Sequence, residues 1–233
     1  MIVDNIQYVA FSKNLKIGDK SVRRKIEDSL SEFVFSFYSP LPPPSSNVEI
    51  MPILTGYTKN RHSRLDISGD LAKLFITFDE NFRNDFDKCF NYAREKIKIL
   101  TNVLTDIDTN SYSGLVIQYL FEEDNYTDDV IGFINNGSVK IVGDKHFFGF
   151  SKNFSLIYQE KFYLNFAISS LQPKNDSKLI LGVSVDVNNR YANEVKGQSV
   201  SYSDVEVMEK LHCRIAQNTL DSLLTKGELR LDE

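Results

Sequence analysis

The order of apolar and polar positions along the chain predicts strands that run into a long amphipathic helix, and it does so twice. Residues 5–12, from Asn5 through Tyr8 and Phe11 to Ser12, read as a short strand. Ser21 then opens a helix in which Val22, Ile26 and Leu30 share one face. A second strand is expected at Phe33 to Tyr38. The run Pro40-Leu41-Pro42-Pro43-Pro44-Ser45-Ser46 must be a surface connection, because each proline fixes φ and lacks a backbone donor. Three more strands are expected, at Val48 to Leu54, Ser63 to Ile67 and Lys73 to Phe78. Beyond them Phe82, Phe86, Cys89, Ala93, Ile97, Leu100 and Leu104 recur at intervals of three and four residues. That stripe predicts a long helix lying on a sheet, with Arg83, Asp87, Arg94, Glu95 and Lys98 turned to water.

The second half repeats this order. Leu115 to Phe121 reads as a strand ending in an acidic, turn-rich segment from Glu122 to Asp129. Four strands are expected after it, at Ser138 to Val142, Phe147 to Tyr158, Lys161 to Leu171 and Lys178 to Val187. Short polar connections such as Asn135-Asn136-Gly137 and Lys174-Asn175-Asp176 favour antiparallel neighbours over a βαβ series. After a polar stretch from Asn188 to Ser201, Ser203-Asp204-Val205-Glu206 has the capping-box form. The helix it opens carries Met208, Leu211, Ile215, Thr219 and Leu223 as its buried stripe and stops at Gly227. The expected class is α+β: two halves, each a β-meander plus a long helix, in a mostly antiparallel sheet with helices packed on one face. The halves divide at residues 1–110 and 111–233, as two units or one continuous domain. Their strand-to-helix junctions echo each other, Lys73-Leu74-Phe75-Ile76-Thr77-Phe78-Asp79 beside the segment Lys178 to Asp186.

Composition narrows the picture without adding chemistry. A chain of 233 residues, 42% hydrophobic and 25% charged, buries a core without a metal or a disulfide, and 17 Phe and 11 Tyr supply its bulk. The net charge of −5 argues against a surface built throughout for phosphate backbones, although a local basic patch leaves nucleic acid open as a partner. Cys89 and Cys213 have neither zinc-ligand spacing nor a disulfide framework and read as small buried or half-buried thiols. No basic segment leads into an apolar run at the N-terminus, and no stretch approaches the roughly 18 apolar residues of a membrane span. The expectation is a cytoplasmic protein with no membrane partner.

Arg61-His62-Ser63-Arg64 with Asp66 is the one compact cluster of cations, imidazole and acid near a strand edge. The guanidinium forks of Arg61 and Arg64 match phosphate or carboxylate oxygens, and an exposed turn feeding a strand explains the same residues. His212 and Cys213 are neighbours on a helix, project about 100° apart and cannot form a thiol-imidazole pair. His212 is expected to bond a nearby carbonyl or carboxylate. His146 sits in an expected hairpin turn. A metal-dependent nuclease needs an acid on one strand and Glu-x-Lys on the next; Asp186 followed by Glu194-Val195-Lys196 is the nearest approach, and Glu194 falls in a polar stretch. Asp106/Asp108 and Glu122/Glu123/Asp124 lack calcium-loop spacing. No phosphate-cradling Gly-rich loop, Gly-x-Ser-x-Gly elbow or His-Glu-x-x-His is present, so neither cofactor nor metal is expected.

Val185-Asp186-Val187-Asn188 and Leu211-His212 carry a resemblance. With residues 155–225 around them they resemble the C-terminal region of an uncharacterised, sporadically distributed bacterial family of similar length. Its members end in a strand of alternating apolar and acidic residues and then a helix containing Leu-His. Asn188 stands where a second acid is expected, which counts against a metal role for that pair. The resemblance implies a fold and a patchy distribution of the kind common among phage-defence and toxin-partner genes. Two functions follow as expectations. The first is a non-enzymatic protein whose sheet faces or edges recognise another protein, as a homodimer or as one component of such a system. The aromatic strands Phe147 to Phe150 and Phe162 to Phe166 would supply its apolar surface. The second is an enzyme acting on a phosphate-containing substrate through Arg61, His62 and Arg64.

Overall fold

Strand periodicity of two and helix periodicity of 3.6 leave this chain one economical way to bury its apolar stripes: an antiparallel sheet with the helices against one face. The computed structural model describes residues 1–12, 15–39, 53–107, 112–122, 151–171, 180–197 and 204–231. Among them nine strands form one sheet: β1 (Ile2–Phe11), β2 (Phe33–Tyr38), β3 (Ile53–Thr58), β4 (Ser63–Ile67), β5 (Leu71–Thr77), β6 (Tyr112–Glu122), β7 (Ser151–Tyr158), β8 (Phe162–Leu171) and β9 (Ile180–Asn188). Their order across the sheet is β2-β3-β4-β5-β1-β6-β9-β8-β7, and every pairing is antiparallel. The α+β class and the antiparallel sheet stand as expected from the sequence.

The helices among the described residues are α1 (Lys20–Ser29), α2 (Phe86–Ile107), α3 (Arg190–Glu194), α4 (Val205–Arg214) and α5 (Leu220–Lys226), the last two joined by a π-helical turn, Ile215–Thr219. Asp19, not Ser21, caps α1: its Oδ1 accepts the Ser21 N–H at 2.7 Å. α2 begins at Phe86 instead of Phe82, because Asp85 caps it, its Oδ1 accepting the Lys88 N–H at 3.1 Å. Phe82 lies in the preceding turn and still packs on the core. The C-terminal stripe of Met208, Leu211, Ile215, Thr219 and Leu223 is buried along its whole length. Gly227, at φ 69, ends the last helix in the left-handed conformation that glycine adopts without strain.

One face of the sheet carries the core. Alternate residues Val3, Ile6, Tyr8 and Ala10 of β1, Leu115, Ile117 and Tyr119 of β6, and Val183, Val185 and Val187 of β9 are all buried. Tyr8 Oη meets Thr101 Oγ1 of α2 at 3.3 Å, and His212 of α4 reaches the Leu115 carbonyl. The two long helices are tied to each other by the Arg94–Glu209 ion pair at 3.0 Å, so both lie on that face. Each fully buried leucine, isoleucine or phenylalanine contributes about 1.5–3 kcal/mol by leaving water.

Several expectations shift. Of the strand expected at Val48 to Leu54, residues 53 and 54 belong to β3, Ile53–Thr58, which runs further than expected, and residues 48–52 lie outside the described residues. The polar stretch after Asn188 contains a short helix, α3, held in part by the Arg190–Glu194 ion pair at 2.6 Å. Residues 40–46, the connections at 135–137 and 174–176, the strand at 138–142, His146 and Ser203 lie outside the described residues.

The sheet runs unbroken across the 110/111 boundary, and its middle reveals a repeat. Ile6-Gln7-Tyr8 of β1 and Ile117-Gln118-Tyr119 of β6 are the same triplet on adjacent antiparallel strands, with Ile6 directly opposite Ile117. Outward from that pair, Ile6 faces Ile76 and Tyr8 faces Leu74 of β5, while Ile117 faces Val185 and Tyr119 faces Val183 of β9. Setting β2 aside, the order β3-β4-β5-β1 on one side mirrors β7-β8-β9-β6 on the other, and a long helix follows β5 and β9 alike. The halves correspond strand for strand about the Ile6/Ile117 pair, as an internal duplication requires.

Candidate functional site

Alternation along β4 decides where the expected cluster goes. Ser63, Leu65 and Ile67 are buried toward the helices, so Arg64 and Asp66 emerge together on the opposite, open face. Arg64 Nε lies 2.8 Å from Asp66 Oδ2, and Asp66 Oδ1 accepts a hydrogen bond from Thr55 Oγ1 at 2.9 Å. The Asp66 carboxylate, through its hydrogen bond from Arg64 and its negative charge, pushes the Arg64 pKa up, while the guanidinium sits 5.6 Å from the centre of the Tyr57 ring. Arg61 occupies the β3–β4 turn in the left-handed region, φ 59, and is exposed.

His62 faces elsewhere. It lines a cleft of about 200 Å³ at the end of the sheet, with Asn60, Thr77, Phe78, Asp79, Phe82 and Tyr92. Phe78 and Phe82 stack at 5.8 Å, and Tyr92 meets both edge-on at 6.3 and 6.1 Å. Asp79 Oδ1 is engaged by the Phe82 N–H at 2.9 Å. Among the described residues no guanidinium lines this cleft, so the four cluster residues divide among an exposed turn, an aromatic cleft and a self-neutralised pair. Binding of inorganic phosphate, read by calorimetry, is expected to be the same in wild type and Arg64→Ala, because Asp66 already holds that guanidinium. A loss of phosphate binding in the variant would return Arg64 to a ligand site.

The remaining candidates are held structurally. His212 Nε2 lies 2.8 Å from the Leu115 carbonyl, the kind of partner the sequence suggested, although the ring is fully buried. Burial pushes its pKa down to about 4. Burial pushes the Cys89 thiol up to about 12 and raises that of Cys213, which keeps both protonated and poorly nucleophilic. On the open face, Asp186 Oδ2 accepts Nδ2 of Asn165 at 2.9 Å and of Asn188 at 3.0 Å, and burial raises its pKa against the pull of those bonds. An amide at 188 donates where a second acid would repel. Glu194 pairs with Arg190 and Lys196 with Glu160, so neither partner of the nuclease pattern is directed at Asp186. Among the described residues no group of three or more His, Cys, Asp or Glu side chains could hold a metal, and no helix is long and apolar enough to cross a membrane.

The feature that sequence reasoning missed lies at the sheet's edge. Phe162 and Phe166, expected on an exposed apolar face, are buried because they alternate onto the helix side of β8, which has a neighbour on each flank; residues 147–150 lie outside the described residues. Exposed apolar side chains instead gather at the other end, on two adjacent strands. Val34 is 64% and Tyr38 65% exposed on β2, and beside them Ile53 and Tyr57 of β3 are each 40% exposed. Among the described residues β2 has one neighbour only, β3. Its sequence, Phe33-Val34-Phe35-Ser36-Phe37-Tyr38, holds no charge and no proline, and that uncharged hexamer was the available signal. Among the described residues the opposite edge is β7, whose exposed side chains are Ser151, Lys152, Asn153 and Ser155 with one large apolar residue, Ile157. No protein-family model, no curated protein and no solved structure matches the chain.

Proposed function

We propose that the chain is a non-enzymatic protein-binding component that accepts a strand of its partner along β2. The observation that carries this reading is the edge strand of the described sheet: six uncharged residues with Val34 and Tyr38 exposed, continued onto Ile53 and Tyr57. A free strand edge offers backbone donors and acceptors to an incoming strand, and alternate side chains then select it. Soluble proteins normally blunt such an edge with lysine, proline or a bulge, as Lys152 does at β7. The resemblance adds a setting, a bacterial phage-defence or toxin-related system.

A synthetic strand tests the edge itself. A fluorescent peptide copying residues 33–38 between solubilising lysines is expected to bind the full chain saturably, by fluorescence polarisation. The same peptide N-methylated at alternate amides is expected to bind at least about tenfold more weakly, since it loses ladder hydrogen bonds. Absence of saturable binding by the unmethylated peptide defeats the proposal. The enzyme reading keeps only the His62 cleft as its site.

A further inference from the structure

We infer that the partner strand at β2 is supplied by a second copy of this chain, paired antiparallel about a two-fold axis through Ser36. This rests on the strand-addition reading above and names its partner.

Register restricts how the edge can pair with its own copy. Directly opposed residues of an antiparallel pair present their backbone groups alike and point to the same face, so outward-facing residues must oppose outward-facing ones. A two-fold axis between identical strands therefore passes through a residue and its copy, never between residues. Val34, Ser36 and Tyr38 share the open face, and Phe33, Phe35 and Phe37 share the helix face. Centring the axis on Ser36 sets Val34 against the copy's Tyr38 on the open face and Phe35 against the copy's Phe37 on the other. Centring it on Phe35 or Phe37 instead opposes Ser36 to Val34 or Tyr38. Only the Ser36 register sets Val34, Phe35, Phe37 and Tyr38 all against apolar side chains, in the cross-strand pairs that stabilise sheets.

Local structure suits the strand for this use. Gly56 lies opposite Phe35, and any Cβ there would come within 2.6 Å of the ring, so the glycine lets Phe35 lie across β3 and fixes its position. On the same face the Arg23 guanidinium covers the Phe37 ring at 3.8 Å. The edge is thus ordered before it meets a partner. The chain already contains one such junction, since its two halves meet edge to edge through β1 and β6 about the Ile6/Ile117 pair. An isologous contact of this kind closes after two copies and leaves β7, with its exposed lysine, as the outer edge among the described strands.

Light scattering after size exclusion and sedimentation velocity are expected to show a concentration-dependent dimer. Val34→Lys combined with Tyr38→Lys should weaken it by about tenfold or more while leaving the circular dichroism and melting temperature near wild type. Ser36→Cys tests the register. Residues opposed across an antiparallel pair lie roughly 4.5–5.5 Å apart at Cα, within disulfide reach, so mild oxidation should yield a covalent dimer of that variant. Val34→Cys, displaced from its own copy along the strand, and the wild type with its native Cys89 and Cys213 should not cross-link. A chain that stays monomeric while still binding the residue 33–38 peptide overturns the second-copy inference and leaves strand addition standing. Failure of peptide binding as well takes both away. A dimer undisturbed by the double lysine substitution, or cross-linked equally through position 34, places the interface elsewhere and overturns the inference.

Discussion

Ile117→Ala is expected to lower unfolding stability by about 2–5 kcal/mol, and Ile6→Ala by a similar amount. Both side chains are buried, they face each other across the β1–β6 pair, and each heads an Ile-Gln-Tyr triplet. Removing either leaves a cavity at the centre of the sheet, where packing from both halves limits collapse. Because the two residues share one space, the double variant should depart from the sum of the singles by more than about 0.5 kcal/mol. Urea unfolding followed by circular dichroism and tyrosine fluorescence measures all three, and each variant should unfold in one transition by both probes. Two separate transitions, with only one shifted, would mean that the halves are independent units and that the seam is not shared. Unequal costs, one severe and the other negligible, would break the equivalence that the repeat implies.

Where the sequence carried one period strongly, it placed elements well. β2 and β4 fall where alternation put them, and the C-terminal stripe from Met208 to Leu223 is buried residue for residue. Boundaries moved where a local cap outweighed the periodicity. Phe82 has the spacing of the α2 stripe, yet Asp85 starts the helix one turn later. Arg190 to Glu194 reads as polar linker because a helix this short has no stripe, only an ion pair and one buried alanine, Ala192. Strand order was not legible at all from local pattern. The Ile-Gln-Tyr repeat was the available clue, and it becomes meaningful only when β1 and β6 are seen side by side.

The chemistry was legible as a list of residue types and illegible as geometry. Arg61, His62 and Arg64 are adjacent in sequence, but a left-handed turn at Arg61 and the alternation of β4 send them to different surroundings. Asp66, grouped with them as a site residue, serves as the counter-ion of Arg64. The exposed apolar surface followed the same logic in reverse. Phe162 and Phe166 looked available by composition, and alternation onto the helix side of a strand flanked by β7 and β9 hides them; Val34 and Tyr38 looked like residues of any other strand, and they are exposed on the open face at the end of the described sheet. Which strand is an edge depends on long-range pairing, which single-sequence periodicity does not encode.

Acidification supplies the second large effect, through His212. The ring is fully buried, its Nδ1 has no hydrogen-bond partner among the described residues, and desolvation holds its pKa at about 4 against an unfolded value near 6.5. Because the folded pKa is the lower one, the unfolded chain binds the extra proton first. Stability from this residue is therefore complete above about pH 6.5 and is lost as pH falls toward 4, by roughly 3 kcal/mol. Asp186 and Glu209 work in the opposite direction, since burial raises both carboxyls and protonation favours the folded state. The His212 contribution is thus isolated by comparison with His212→Gln, whose amide can still donate to the Leu115 carbonyl but does not titrate. Chemical denaturation across that window should give a wild-type profile steeper than the variant's, with the difference shrinking by roughly 3 kcal/mol between about pH 7 and pH 4. Parallel profiles would show that His212 takes up its proton without penalty, and hence that the α4 stripe is not sealed against β6 as the buried Leu115 contact requires.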